Sequence, residues 1–196
     1  MTGAVAELER YRRDPVAFAR EVLRFFPWSK QREILESVRD HPRTAVRSAH
    51  GVGKTAVAAR AVLWWLAVWP DSVVVTTSAT WNQVREQLWR EIAVAFHASA
   101  GFIGGTLSDA RLELGPGWFA LGLSTDTPER FAGYHADRLL VVLDEASGVH
   151  EATWESAETL ITTPLPRDSI CPASARVSRN GPVTLARSTS SQASGG

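Results

Sequence analysis

The run Ser48-Ala49-His50-Gly51-Val52-Gly53-Lys54-Thr55 has the residue types and spacing to hold phosphate. Gly51 and Gly53 let backbone N–H groups turn inward around an anion, and the dipole of a following helix adds to the attraction. Lys54 would reach the outer phosphates of a nucleotide, and the Thr55 hydroxyl would ligate Mg²⁺. The pattern asks for glycine where Ser48 stands, so the match is imperfect. A tight turn ending in a helix cap would also fit these residues. The flanks favour the phosphate loop, because a β-branched run precedes it and a helical pattern opens at the lysine.

A second group lies further along the chain. Leu139 to Leu143 is a continuous apolar run that ends in Asp144-Glu145. An acid at the end of a strand buried on both faces is the Walker B pattern, with Asp144 holding Mg²⁺ through water and Glu145 polarising an attacking water as general base. A capping acid before a helix would look the same in isolation. A third group is Trp28-Ser29-Lys30-Gln31, where the Gln31 amide could pair donor-to-acceptor with an adenine edge. A surface glutamine in a first helical turn explains it equally well.

The elements that must position these residues follow from pattern. Asp14-Pro15 caps a helix with Phe18, Val22, Phe25 and Phe26 on one face, stopped by Pro27. Ser29 is expected to cap the next helix, with Ile34, Leu35 and Val38 as its stripe, closed by His41-Pro42. Thr44 to Arg47 reads as strand, the loop follows, and a helix runs from Gly53-Lys54 to about Trp69. Val73 to Thr77 is a β-branched strand, and Thr80 caps a helix repeating Trp81, Val84, Leu88, Ile92 and Phe96. Glycines 101, 104 and 105 break it. Arg111 to Leu114 and Trp118 to Leu123 form a hairpin across Gly115-Pro116-Gly117. Thr153 to Thr163 reads as an amphipathic helix. This order predicts a three-layer α/β domain with a mostly parallel central sheet over residues 1–164, including N-terminal helices over 1–42. Residues 165–196 have no apolar period and end in RSTSSQASGG, so they are expected to form a low-complexity, disordered tail that the core does not need.

Composition bounds the partners. Lys plus Arg and Asp plus Glu each number 21, so no overall basic field draws the chain to nucleic acid. Lys30 and Lys54 are the only lysines, which sets Lys54 apart. The single cysteine, Cys171, precludes an intramolecular disulfide and fits a reducing compartment. The N-terminus has no apolar signal segment. The stretch Ala61 to Trp69 is far short of the about 20 residues a membrane span needs, so it reads as the end of a buried helix. The five histidines show no metal-ligand spacing. Arg130 and Arg138 are candidates for an arginine finger, though solvated surface is the commoner role. Trp81 and Trp89 fit the core better than a base contact.

Taken together, Trp28-x-x-Gln31, Arg47 to Thr55, Thr76-Thr77-Ser78-Ala79-Thr80 with Gln83, Gly133-Tyr134-His135 and Leu143 to Val149 resemble the large terminase subunit of tailed phages, over roughly residues 15 to 160. The resemblance implies a P-loop NTPase fold of the RecA/ASCE type. It implies an ATP- and Mg²⁺-dependent motor that packages double-stranded DNA into a procapsid. Its partners would be a terminase small subunit, a portal protein and further copies of itself in a ring, in the bacterial host cytoplasm and without a membrane. By position, Ser48, Ala49, His50, Gly51, Val52, Gly53, Lys54 and Thr55 correspond to the nucleotide loop. Thr55 and Asp144 correspond to the metal residues, Glu145 to the base, and Gln31 to the adenine reader.

Two departures stand out. His50 occupies a position where many such ATPases have arginine, a role Arg47 is placed to take. The family also continues into a further buried strand and a carboxylate-rich nuclease domain, whereas Asp168 is the lone acid after Thr163. The expectation is a truncated or frameshifted fragment whose frame changes near Pro164. The competing readings are a non-catalytic nucleotide-binding remnant and a helicase-like ATPase, which would need a second motor domain.

Overall fold

The computed structural model describes residues 2–48, 51–124, 133–134, 136–162 and 183–189. Three helices open the chain: α1 (Thr2–Arg13), α2 (Pro15–Glu21) and α3 (Ser29–Asp40). Asp14 caps α2 as its sequence suggests, accepting from the Ala17 N–H at 2.8 Å, with proline in the first turn. The helix is shorter than the sequence predicts. It ends at Glu21, and Arg24 turns the chain with φ at 51°. Residue 28, not Ser29, is the cap of α3, and it is Gln31 that reaches back to the Trp28 N–H.

Strand β1 (Arg43–Val46) leads into the loop, and α4 (Lys54–Val68) leaves it. Helix α4 is buried almost all round, from Val57 through Leu66, so Ala61 to Trp69 is a core segment. Among the described residues no helix is long and apolar enough to cross a membrane. The Trp64 indole donates to the Tyr11 carbonyl at 2.8 Å, which locks α1 across α4.

Strand β2 (Val73–Thr77) follows, then α5 (Trp81–Gln83), a π-helical turn over Val84–Trp89 and α6 (Arg90–Ala98). Thr80 and Gln83 exchange side-chain and backbone bonds in a capping box. The short β3 (Thr106–Ser108), unforeseen in the sequence, joins the expected hairpin of β4 (Arg111–Gly115) and β5 (Trp118–Gly122). Strand β6 (Arg138–Asp144) leads to a 3₁₀ turn over Ala146–Gly148 and to α7 (Glu151–Thr162). Last comes β7 (Val183–Thr189).

The sheet runs β1-β7-β6-β2-β5-β4-β3. Its strands alternate between two cores. Val74, Leu140 and Val142 face the side of α1 to α6, while Val73, Val75, Leu139, Val141 and Leu143 face Trp154 and Ala157 of α7. Helices thus cover both faces, which explains the uninterrupted apolar runs of β2 and β6.

The expectation of a mostly parallel sheet is wrong. Only β2 with β5 and β2 with β6 pair in parallel, and the other four pairings are antiparallel. Parallel pairing needs a long crossover, whereas the β3-β4-β5 meander uses tight turns. Strand β7 runs opposite to both its neighbours and contributes two more antiparallel pairings. It also corrects the expectation for the tail at 183–189, which form a strand; 163–182 and 190–196 lie outside the described residues.

Candidate functional site at the ends of β1 and β6

Strands β1, β2 and β6 all point the same way, since β1 and β6 each run antiparallel to β7 and β6 is parallel to β2. Their carboxyl ends therefore open on one edge of the sheet, the usual place for ligands in open α/β sheets. Ser48, Gly51, Val52, Gly53, Lys54 and Thr55 leave β1 there; Ala49 and His50 lie outside the described residues. Asp144 and Glu145 leave β6 at the same edge.

Gly53 takes φ at +79° and begins α4, a conformation that strains any residue with a side chain. A Cβ added there would lie 2.6 Å from the Gln31 Nε2, so a side chain at this position would push the glutamine amide off the loop. Lys54 starts the helix, is 7% exposed and donates from Nζ to the Ser48 carbonyl at 3.3 Å. The lysine therefore reaches back across the loop. A buried ammonium at a helix N-terminus is an arrangement that attracts an oxyanion.

Thr55 and Asp144 are 89 positions apart in sequence, yet the Thr55 hydroxyl donates to Asp144 Oδ2 at 2.9 Å. The Glu145 N–H donates to the other carboxylate oxygen at 3.1 Å. Asp144 is only 1% exposed. Burial lifts its pKa to about 6, against the opposing pull of the Thr55 and Glu145 hydrogen bonds and of Lys54. Glu145 itself sits in the left-handed region, φ 47° and ψ 44°, unusual for a residue with a side chain. A hydroxyl and a carboxylate in contact are hard oxygen donors of the kind Mg²⁺ accepts, and no cluster of three His, Cys, Asp or Glu occurs among the described residues.

A cleft of about 300 Å³ adjoins the loop between α3 and β1, lined among others by Trp28, Gln31, Ile34, Val46, Arg47 and Lys54. Gln31 forms the wall between cleft and loop. Its Oε1 accepts from the Trp28 N–H at 3.3 Å, and its Nε2 faces the carbonyls of Val52 and Gly53, each at 3.4 Å. Arg138 is elsewhere. It begins β6, at the opposite end of the strand from Asp144, with its guanidinium 4.0 Å from the Trp69 ring centre. Arg12 stands over the same ring at 4.0 Å. Arg130 lies outside the described residues.

Sequence reasoning did not single out the Ser37 and Thr44 hydroxyls, bonded at 2.8 Å on the cleft wall, nor the role of β7 beside β6. Neither has a spacing signal, because each depends on which elements end up adjacent.

No family model matches the chain. Over 152 residues it is 28% identical to a protein of Enterobacteria phage P7 described as a probable terminase, large subunit, a match covering 72% of this chain. The chain is similar to a phage terminase large subunit. It spans 31% of that relative's length.

Proposed function

We propose that the chain is an ATP-binding and hydrolysing domain of the terminase large-subunit type, working with Mg²⁺ on the packaging of double-stranded DNA. The observation that carries this reading is the 2.9 Å bond between Thr55 and Asp144, which joins the loop to the acidic end of β6 beside the buried Lys54. In this reading the loop N–H groups and Lys54 hold the phosphates, and the base enters the cleft at Trp28 and Gln31. Thr55 and Asp144 hold Mg²⁺, which when bound neutralises phosphate charge and favours displacement at the outer phosphorus. Glu145, next to Asp144, accepts a proton from water. Double-stranded DNA, a small subunit, a portal and further copies of the chain are the partners the likeness to the P7 protein supports.

Lys54→Ala removes the loop's cation and is expected to weaken Mg·ATP binding by about ten- to a hundredfold. Titration with labelled ATP measures this, and unchanged affinity ends the phosphate-loop reading. Glu145→Gln is expected to keep Mg·ATP bound while turnover stops, and a wild-type hydrolysis rate in that variant assigns the base elsewhere.

A further inference from the structure

Gln31 occupies the junction between cleft and loop, and its hydrogen-bonding capacity is largely committed there. A primary amide has two N–H donors and one carbonyl oxygen. The two donors face two loop carbonyls, Val52 and Gly53, both at 3.4 Å. The oxygen takes the Trp28 N–H at 3.3 Å. This orientation is unique, because turning the amide over would set donor against donor and oxygen against oxygen. Paired reading of an adenine edge needs a free donor beside a free acceptor. Gln31 can supply that donor only by releasing a loop carbonyl. The residue is also buried, 7% exposed, and Gly53, having no side chain, lets the amide come this close to the loop.

We infer that Gln31 is a positioning residue for the phosphate loop, bracing the Val52 and Gly53 carbonyls so that the adjacent N–H groups face the site, and that base preference does not pass through it. The inference rests on the nucleotide reading above. Its chemical consequence is that the site selects its ligand by the polyphosphate. The base meets the Trp28 ring, 47% exposed at the cleft, and the carbon-lined wall of Ile34 and Val46. A flat apolar contact of that kind accepts either purine.

Inorganic tripolyphosphate separates the two roles, because it has no base. Binding of Mg·tripolyphosphate, Mg·ATP and Mg·GTP is measured by calorimetry on the full chain and on Gln31→Ala, with Gln31→Met as a second variant that keeps the bulk and removes every polar contact. Two long amide bonds, each at the low end of net hydrogen-bond strength, correspond to a fall of about fivefold. The expected result is that fall for tripolyphosphate and ATP alike, with the ATP-to-GTP ratio unchanged in whichever variant retains the wild-type circular dichroism spectrum. A variant that binds tripolyphosphate as the wild type does, but loses its preference for ATP over GTP, overturns the inference and restores Gln31 as a base reader. Wild-type protein that binds neither tripolyphosphate nor ATP overturns the nucleotide reading itself, a distinct outcome.

Discussion

At Asp144 two opposing effects meet, and burial wins. The carboxyl is held by the Thr55 hydroxyl and the Glu145 N–H, both of which favour the charged form, yet its pKa rises from 3.8 to about 6. A raised acid binds its proton more tightly in the folded state than in the unfolded one. Stability is therefore fullest below the unfolded value and declines as pH climbs through about 4 to 6. In EDTA, to keep metal away, the group is expected to lower unfolding free energy by about 2 to 3 kcal/mol between about pH 4 and about pH 7. Urea unfolding of wild type and Asp144→Asn across that range isolates the effect, since asparagine keeps the shape and cannot titrate. Parallel pH profiles for the two proteins would place the Asp144 pKa near its ordinary value. The sequence grouped Lys54, Thr55, Asp144 and Glu145 by residue type and spacing, and the structure brings the Thr55 hydroxyl onto Asp144 with Lys54 nearby. The sequence did not show what Gln31 faces. That depends on the amide lying where a Cβ on Gly53 would come within 2.6 Å of its Nε2, a tertiary distance that spacing does not encode.

Among the elements, the capped helices were legible because their signals are local. Asp14 and Thr80 each bond an N–H within three residues. The π turn over Val84–Trp89 was not legible, because what fixes it lies across the sheet. The Trp89 indole donates to the buried Thr76 hydroxyl at 2.9 Å, and Thr76 in turn donates to the Leu121 carbonyl at 3.0 Å. Gly122 leaves the space, since a Cβ there would lie 2.7 Å from both the Trp89 Nε1 and the Val84 Cγ1. A π turn shifts side chains around the helix by part of a turn, and here the shift sets Trp89 onto β2 and β5. Thr76→Val keeps the shape and deletes the hydroxyl, leaving the indole N–H unpaired in a dry site. Chemical denaturation should register a loss of about 1 to 3 kcal/mol, with faster amide exchange confined to Val84–Trp89. A loss below about 0.5 kcal/mol would mean that the packing of Val84, Leu88 and Trp89 alone holds the turn. On the other side of α6, Arg60 ties α4 to Glu91 at 2.6 Å while its guanidinium covers the Phe25 ring at 4.6 Å, so the loop's helix is pinned at both flanks.

For the whole molecule, the two halves of the candidate site are joined through the strand that pattern reading missed. The sequence predicted the three layers correctly, because apolar runs such as Leu139 to Leu143 demand cover on both faces. It gave β7 no signal, since VTLARST has three apolar residues in seven with no sustained alternation and lies in a Ser- and Arg-rich stretch. Strand β7 nevertheless pairs with β6 along its full length, Arg138 opposite Thr189 to Asp144 opposite Val183, and with β1 from Arg43 to Val46. Among the described residues it is the sole strand linking the one that feeds the loop to the one that ends in Asp144. Removing residues 183–196 is therefore expected to do two things together. The bare edge of β6, apolar on both faces, becomes a template for association, so size-exclusion chromatography should show oligomers or aggregate where the full chain elutes as a smaller species. The Thr55 to Asp144 contact loses its support, so Mg·ATP binding should fall along with thermal stability. An alternative is that α3 and α4 alone hold β1 against the body of the domain. In that case the shortened chain would stay unaggregated, melt within a few degrees of the full chain and bind Mg·ATP unchanged, and β7 would be an ornament on a site built without it.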